Sequence, residues 1–428
     1  MKKTAFVYLL LVFFVFAILI WCYSNSKPES GIVIKPKPLP TKTFHQSPSD
    51  YNRFAIESYS KIARAKGDQN AVFSPFSLSM ALEVLYAGSA GNTATELQNM
   101  LHLPPQSNHE KPQNPALFEY KSPKKAIIDP MSYGDHPPIF LAGNSIWYAD
   151  HLTLNRSFEK AMKKDFSLET FPVNFAANSG QIVADMDQWV NRVTQGLIPS
   201  LNPSAGPDST LVILNTLYFK AFWNHRFETR NTHDRKFTLV TGEEIETPCM
   251  GDESGFPFMQ NEEFKALEMP YIQGWDDYKS LESNFSMLFI LPHKVDGIYA
   301  LEEKLTEELL QEIVQSLSNT GLFVSIPKFR LEQENDLRTV LGSAIDEPDL
   351  SGMFVKPSIE LPATARQKIV LGIDEHGTEA AVFLEFAYLS LGSDPPVFIV
   401  DHPFLFLIRE RKSGTIFFLG RVMNPNEK

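Results

Sequence analysis

Apolar residues recur along this chain with two spacings, and each spacing predicts a different secondary structure. Helical spacing appears at 51–66, 77–86, 157–165 and 180–194. Strand-like apolar runs come mostly later, in "STLVILNTLYFKAFW", "SMLFILP", "LFVSIPKFRLE", "KIVLGID", "PFLFLIRE" and "GTIFFLGRV". Several of these runs are almost continuously apolar, which is typical of strands covered on both faces. Helices first and strands later predict an α+β fold.

Residues 1–23 have the pattern of a targeting segment. Lys2 and Lys3 precede an apolar run at 5–22, and its length of about 18 residues suits a signal-peptide core or a membrane span. Trp21 and Tyr23 are bulky where a cleavage site needs small residues, which favours an uncleaved signal anchor. A cleaved signal peptide is the alternative. In both cases we expect the rest of the chain to be exported, extracellular or periplasmic, either secreted or held at a membrane by residues 5–22.

Behind this segment the sequence predicts a tether and one domain. Residues 24–47 are rich in Pro, Lys and Ser and can bury little, so we expect an extended tether. Periodic apolar sequence then continues almost to the end, which predicts a single domain over 48–428 with a large core. The stretch 102–138 is polar and rich in proline, and we expect it to be a surface loop.

Charge and cysteine content narrow the range of functions. Lys and Arg number 39 against 51 Asp and Glu, which gives a formal net charge of −12 and argues against a nucleic-acid surface. The two cysteines, Cys22 and Cys249, are too few for a disulfide framework. We expect Cys249 to be a small buried core residue.

No catalytic or metal-binding motif stands out. The ten histidines are scattered, and no HExxH, GxSxG, GxGxxG or phosphate-binding GxxxxGKS/T pattern occurs. His225 and His233 have no carboxylate or thiol at a motif spacing, so we expect both to be surface or loop histidines. The sequence therefore predicts no catalytic residue, metal or cofactor.

Several segments, in order, resemble the serpin family. They are "NAVFSPFSLSMALEVLYAGSAGNTATELQNML", "LAGNSIWYADHLTL", "MDQWVNRVTQGLI", "LVILNTLYFKAFWNHRF", "MLFILP", "IPKFRLE" and "DHPFLFLIRERKSGTIFFLGRVMNP". The resemblance covers 48–428 and implies three β-sheets, about nine helices and an exposed reactive-centre loop at about 375–398. An inhibitory member is a monomeric trap rather than an enzyme. The target serine protease cleaves the loop, which inserts into the main sheet as a strand and leaves a covalent 1:1 complex.

The resemblance places the hinge of that loop in "EHGTEAA". The hinge residues are Glu375, Gly377, Thr378, Glu379, Ala380 and Ala381. Glycine supplies the unusual dihedral angles that a hinge needs. The residues that alternate on the face entering the core are uncharged, namely Thr378, Ala380, Val382 and Leu384. We expect insertion to occur, slowed by the bulk of Val382 and Phe383; a plain buried strand is the alternative.

The reactive bond follows from the family spacing of sixteen positions after Glu375, which gives Leu391–Gly392. Because the loop is about one residue longer than is common, Tyr388, Leu389 and Ser390 stay open as register alternatives. Leucine implies a chymotrypsin-, elastase- or cathepsin G-like protease, with papain-like cysteine proteases as a second partner class. The alternative functions are a non-inhibitory serpin acting as a carrier, chaperone or binding protein, and an exported hydrolase that shares strand patterns.

The resemblance also implies a gate that controls opening of the main sheet. Its residues are Ser74, Ser77, Asn215, Gln367 and Lys368, and Trp223 marks the site where the loop first inserts. The family has histidine where this chain has Gln367, and an amide does not titrate near neutral pH. We therefore expect an intact gate that is less sensitive to pH. A helix cap at Ser74 or Ser77 and a packed core tryptophan are the alternatives, and the run at 342–352 is shorter than usual.

Overall fold

The computed structural model describes residues 48–103, 139–198, 200, 203, 205–276, 279–342, 348–355, 366–378 and 396–427. All of these residues belong to one compact unit that begins at Lys42. The predicted targeting segment, the tether and most of the predicted surface loop lie outside the described residues. No helix in the described ranges is both long and apolar enough to cross a membrane.

Eight α-helices occur in the described ranges. They are α1 (Pro48–Lys66), α2 (Pro75–Gly88), α3 (Gly91–Met100), α4 (Arg156–Phe166), α5 (Phe175–Val193), α6 (Gly297–Lys304), α7 (Glu307–Ser316) and α8 (Arg338–Leu341). The four predicted helices are confirmed, and each begins one to five residues earlier than its apolar spacing indicated. Polar caps explain the earlier starts, because Ser74, Asn155 and Asn174 accept hydrogen bonds from N–H groups of the first turn of α2, α4 and α5.

Fifteen strands are described, and the late apolar runs are confirmed as strands. They are β1 (Ala71–Phe73), β2 (Ile139–Ala149), β3 (Glu169–Val173), β4 (Leu211–Phe222), β5 (His233–Thr238), β6 (Glu244–Gln260), β7 (Phe264–Asp276), β8 (Lys279–Pro292), β9 (Ser318–Pro327), β10 (Phe329–Asp336), β11 (Arg366–Asp374), β12 (Gly377–Thr378), β13 (Val397–Ile399), β14 (Phe404–Glu410) and β15 (Ile416–Val422). Helices and strands are interleaved more than predicted, because β1, β2 and β3 lie between the helices α1 to α5.

The six-stranded sheet has the strand order β10-β11-β12-β4-β2-β3. Its central element is the two-residue strand β12, which lies antiparallel between β11 and β4. Residues of β4 alternate between the two faces, so that Leu214 packs with helix α5 on one side and Phe219 packs into the main core on the other. Strand β12 therefore occupies a position between β11 and β4 that a longer strand could continue.

The remaining strands form one nine-stranded sheet with the order β1-β15-β14-β8-β7-β6-β9-β13, to which β5 adds by pairing with β6. Strand β6 joins two parts of this sheet. It pairs with β5 and β9 along most of its length but meets β7 only at Phe258–Gln260. The α+β class is thus confirmed, and the expected three sheets appear as two hydrogen-bonded sheets because β6 connects two of them.

Helix α2 begins at two residues of the predicted gate, Ser74 and Ser77, and almost all of its residues are buried. It contacts both β4 of the six-stranded sheet and β15 of the nine-stranded sheet. A helix that is apolar on every side is typical of a position inside the core. Its first turn, Ser74–Ser77, consequently lies at the junction of the two sheets.

Candidate functional site

The hinge begins inside the six-stranded sheet. Gly377 pairs with Asp374 of β11 and with Phe222 of β4, and Thr378 pairs with Ile373 and Ala221. Thr378 is 1% exposed. The first two residues after the hinge turn therefore occupy a strand position between β11 and β4.

Gly377 is required by the backbone at this point. Its φ is +153°, and a Cβ there would lie 2.6 Å from the Cα of Phe222 and even closer to the carbonyl oxygen of Ala221. No L-side chain fits such a contact without displacing the strand. Glycine is thus the residue that this backbone position accepts, and its role as a hinge stays a prediction.

An aromatic pair covers the docked hinge. The hydroxyl of Tyr271 lies 3.0 Å from Thr378 Oγ1, and the ring of Tyr271 stacks on Trp223 at a centroid distance of 4.7 Å. Both rings are fully buried, and burial raises the pKa of the Tyr271 hydroxyl well above its usual value. The hydroxyl therefore stays protonated and available to Thr378 at any physiological pH.

A buried carboxylate fixes the turn before the hinge. Glu375 is 4% exposed and lies 2.9 Å from Lys328 Nζ, and its other oxygen accepts a hydrogen bond of 2.7 Å from Thr232 Oγ1. Burial alone would raise the pKa of Glu375, but the hydrogen bonds from Lys328 and Thr232 outweigh it and hold that pKa below its usual value. The carboxylate is thus charged at neutral pH.

The strap formed by Trp223–Phe227 holds the same turn through backbone bonds. The N–H of Trp223 donates to His376 O at 2.8 Å, and the N–H of Phe227 donates to Glu375 O at 2.9 Å. The indole Nε1 of Trp223 donates to Asp374 O at 2.9 Å. We call Trp223, Tyr271, Lys328, Glu375 and Thr378 the insertion site.

The four predicted gate residues Ser74, Ser77, Asn215 and Gln367 meet at the first turn of α2. Gln367 of β11 accepts from Ser74 N at 3.1 Å and donates to Ser74 O at 3.0 Å. Asn215 of β4 accepts a hydrogen bond from the Ser77 hydroxyl. Each of the two strands that flank β12 is therefore tied to a different serine of the same helix turn.

The two alternatives, a helix cap and a packed core tryptophan, are both observed and are compatible with the gate geometry. Ser74 is the N-cap of α2, because its Oγ accepts from Ser77 N at 3.2 Å, and it also donates to Phe417 O at 2.8 Å. Trp223 is a packed core tryptophan, and it also donates a hydrogen bond to the hinge turn. Lys368 lies apart from the gate, since it faces Glu332 of β10 with Nζ and Oε1 3.3 Å apart.

Gln367 is one of three amides that line the open edge of strand β1. Gln333 accepts from Val72 N at 3.0 Å and donates to Asn70 O at 2.6 Å, and Asn335 donates to Val72 O at 2.8 Å. Gln367 continues this series at Ser74. The other edge of β1 pairs with β15. Side chains thus supply one edge of β1 with the hydrogen bonds that a neighbouring strand would give.

Sequence reasoning missed several members of these clusters. Tyr271, Lys328 and Thr232 follow no motif, and they reach the hinge only through strand pairing distant in sequence. His225, which has no carboxylate at a motif spacing, pairs with a distant one: its Nε2 lies 3.0 Å from Asp252, 27 residues along the chain. His233 is exposed as expected.

Part of the predicted site lies outside the described residues. This holds for the hinge residues Glu379, Ala380 and Ala381 and for the reactive-bond candidates Tyr388, Leu389, Ser390, Leu391 and Gly392. Cys249 is a buried free thiol, and burial raises its pKa to about 11. Because the thiol is then protonated near neutral pH, it is not a nucleophile there.

Comparison with known proteins gives consistent matches over nearly the same range. The family model described as Serpin (serine protease inhibitor) matches residues 49–425. An uncharacterized serpin-like protein of Thermococcus kodakarensis is 31% identical over 88% of this chain and 85% of its own length. The mouse protein Z-dependent protease inhibitor superposes with a TM-score of 0.75 at 28% identity, covering 89% of this chain and 98% of its own. Human thyroxine-binding globulin with bound thyroxine gives a TM-score of 0.74 at 25% identity, covering 88% and 98%.

Proposed function

This chain belongs to the serpin family, and on that premise we propose that it is a suicide-substrate inhibitor of a serine endopeptidase with an apolar specificity pocket. Members of this family are generally protease inhibitors rather than enzymes. The observation that carries the proposal is the docked hinge, with Gly377 and Thr378 already paired between β11 and β4. The loop starts its inserted strand before any protease has cleaved it.

Continuing the register of β12 predicts partners on both flanking strands for residues 379–385. Even-numbered residues would follow Thr378 into the core, and each would lie between two core-facing residues. Ala380 would lie between Leu371 and Phe219, and Val382 between Ile369 and Leu217. The alternation expected from the sequence agrees with this register, and the small Ala380 needs little widening of the sheet.

The same register brings Leu384 between Gln367 and Asn215, which are the two strand residues of the gate. Before insertion, these residues are bound to Ser74 and Ser77. Both are uncharged hydrogen-bonding groups, so parting the strands exchanges bonds without leaving a buried charge. Opening of the gate is therefore the step that admits Leu384.

We assign Leu391–Gly392 as the bond that the target protease cleaves, with Leu389 and Ser390 as register alternatives. Residues 382–396 contain no Lys or Arg, so a trypsin-like protease has no preferred residue in this stretch. A papain-like cysteine protease is a second target class. We further propose that the chain is exported and either secreted or anchored through residues 5–22, which cell fractionation of the full chain would test.

The test is trapping. The full chain is incubated with chymotrypsin and with elastase, and we expect a covalent 1:1 complex that survives boiling in detergent, together with a released peptide that begins at Gly392. Trypsin is the matched control and should give no complex through this bond. If only clipped protein forms, and if the clipped protein gains no heat stability, the inhibitory proposal fails.

A non-inhibitory binding function is the second candidate. It is favoured by the likeness to human thyroxine-binding globulin, which binds the small molecule thyroxine. The two candidates differ in one result. A carrier would be clipped by chymotrypsin without forming the covalent complex, whereas an inhibitor forms it.

A further inference from the structure

Helix α4 has two opposite faces. Phe158, Met162 and Phe166 are buried in the main core, and residues spaced four apart lie on one side of a helix. The other side carries the basic residues, which are all exposed: Arg156, Lys160, Lys163 and Lys164. At 3.6 residues per turn these four positions lie within an arc of about 100°. We call them the basic stripe.

The basic stripe is not neutralised by the residues that the structure describes. None of these residues forms an ion pair with it. Glu159 belongs to the same helix, but its Oε1 accepts a hydrogen bond of 3.2 Å from Thr170 Oγ1 of β3. Like charges three or four positions apart destabilise a helix. The stripe therefore does not serve the stability of α4.

Helix α1 shows how basic residues are placed elsewhere in this chain. It carries as many of them as α4 does, but Arg53 lies 3.2 Å from Asp50, and Lys61 Nζ donates to Val340 O at 3.2 Å. The chain as a whole has a formal net charge of −12. A basic patch without neighbouring acidic partners attracts an anionic surface that the rest of an acidic protein repels.

The segment ahead of the domain indicates which anionic surface the stripe meets. Residues 5–22 are proposed to lie in a membrane, and residues 24–47 can span at most about 80 Å. A compact domain of about 380 residues has a radius of gyration of about 21 Å, so this reach lets any of its faces touch the bilayer. Anionic headgroups attract clustered Lys and Arg. Charge complementarity therefore selects the basic stripe as the face that contacts the membrane.

We propose that the basic stripe docks on the anionic phospholipid headgroups of the membrane that holds residues 5–22, and that docking fixes the orientation of the domain. Guanidinium and ammonium groups both donate charged hydrogen bonds to phosphate oxygens, and the stripe contains both. This proposal rests on the membrane anchoring proposed above and not on protease trapping, so either can fail alone. A docked domain presents the same side to every approaching protease.

The test measures how fast the lysines of the stripe are acetylated. The full chain is inserted into two kinds of nanodisc, one of phosphatidylcholine alone and one of equal parts of phosphatidylcholine and phosphatidylglycerol. Mass spectrometry then gives the acetylation rate of each lysine. In the anionic discs Lys160, Lys163 and Lys164 should react about threefold more slowly, because headgroups cover them. Salt at about 1 M shortens the Debye length to about 3 Å and should remove this protection.

Two double variants make the matched comparison. Arg156→Gln with Lys163→Gln removes two charges from the stripe, and protection of its two remaining lysines should fall below about 1.5-fold. Lys236→Gln with Lys304→Gln removes the same charge from two exposed ion pairs elsewhere and should preserve the protection. Lys294, which is exposed ahead of α6, is the internal reference and should react equally in both discs.

Three results would overturn docking. These are equal acetylation of the stripe in the two discs by an inserted chain, unchanged protection in the Arg156→Gln/Lys163→Gln variant, and an equal slowing at Lys294. If that variant does not fold, as judged by its thermal transition, the two discs and the salt dependence of the unmodified chain still decide the outcome.

Two further results identify what has failed. A chain that inserts into neither disc contradicts the proposed anchoring, and docking on that membrane with it. Slower acetylation of the stripe with dextran sulfate in solution, but not in anionic discs, would show that the stripe binds a soluble polyanion and that the membrane proposal is wrong.

Discussion

The insertion site and the gate close the same gap between β11 and β4 with different chemistry. At the insertion site, an aromatic stack and a buried ion pair hold a hinge that is already docked. At the gate, only amides, hydroxyls and backbone groups meet, around the first turn of α2. The charged end should respond to acid, and the uncharged end should not.

Under the proposed inhibitory mechanism, this difference suits the order of events during insertion. The insertion site has to hold the hinge firmly in one position, and a charged hydrogen bond supplies more energy and direction than a neutral one. The gate has to release two strands and accept new neighbours, and neutral groups exchange partners at little cost. One end of the gap is built to hold, and the other end is built to change partners.

The largest effect is expected from Thr378→Arg, which places a charge in the buried hinge position. An unpaired buried charge costs about 3–5 kcal/mol, so trapping of chymotrypsin should fall at least about 100-fold relative to cleavage. The ratio of complex to clipped protein in detergent gels measures this. Thr378→Ser keeps the hydroxyl and should preserve trapping. A Thr378→Arg variant that traps protease as well as the original chain would refute the insertion argument.

Breaking the ion pair by Glu375→Gln should weaken hinge docking by about 1–1.5 kcal/mol, because the amide oxygen can still accept from Lys328 but the attraction between opposite charges is lost. In the original chain, the lowered pKa of Glu375 means that its contribution is fully present above about pH 4.5 and is lost as the pH falls through the lowered value. Hydrogen exchange at the Thr378 amide, corrected for intrinsic rates, should show this loss on acidification. The Glu375→Gln variant should lack it; an identical pH profile in both proteins would contradict the assignment.

Tyr271→Phe tests the neutral part of the insertion site. It keeps the stack on Trp223 and removes one hydroxyl from Thr378, so hinge opening should become easier by about 1 kcal/mol. A double-mutant cycle with Thr378→Val isolates this pair, and the two changes together should cost less than their sum. Strict additivity would mean that the 3.0 Å contact contributes nothing to docking.

The smallest effect is expected at the gate, from Gln367→His. A neutral imidazole can accept a hydrogen bond from Ser74 N, whereas a protonated one cannot. We therefore expect unfolding in urea to match the original chain at pH 8, and the variant to be weaker by about 0.5–1 kcal/mol below pH 6. The original chain at each pH is the control. A constant difference across this pH range would show that Gln367 does not make the gate insensitive to pH.

The family resemblance named more of the residues that meet at the predicted gate than of those that meet at the insertion site. Gate residues lie in apolar segments with a recognisable order, and Ser74 also has the position of a helix cap. The insertion site depends on Tyr271, Lys328 and Thr232, which come from three different segments of the chain. Periodicity reports which face of an element is buried, but it does not report which elements become neighbours.

The predicted boundaries of helices and strands were inaccurate for a related reason. The apolar spacing located α2 and α5 but missed their first turns, because a capping residue is polar and the residues after it need not follow the apolar stripe. The continuous run at 322–332 contained two strands, β9 and β10, separated at Lys328. That break places Lys328 beside Glu375, and it could be found only from the fold.

The amides along strand β1 have a consequence for contacts between molecules. An exposed strand edge is a template on which a second chain can add, and such addition leads to aggregation. Here Gln333, Asn335 and Gln367 already use the backbone groups at one edge of β1, and β15 uses the other. Because β1 is fully buried, a variant that empties one of these three positions would leave a backbone group without a partner, and it would offer a free edge for self-association only when β10 and β11 separate from β1.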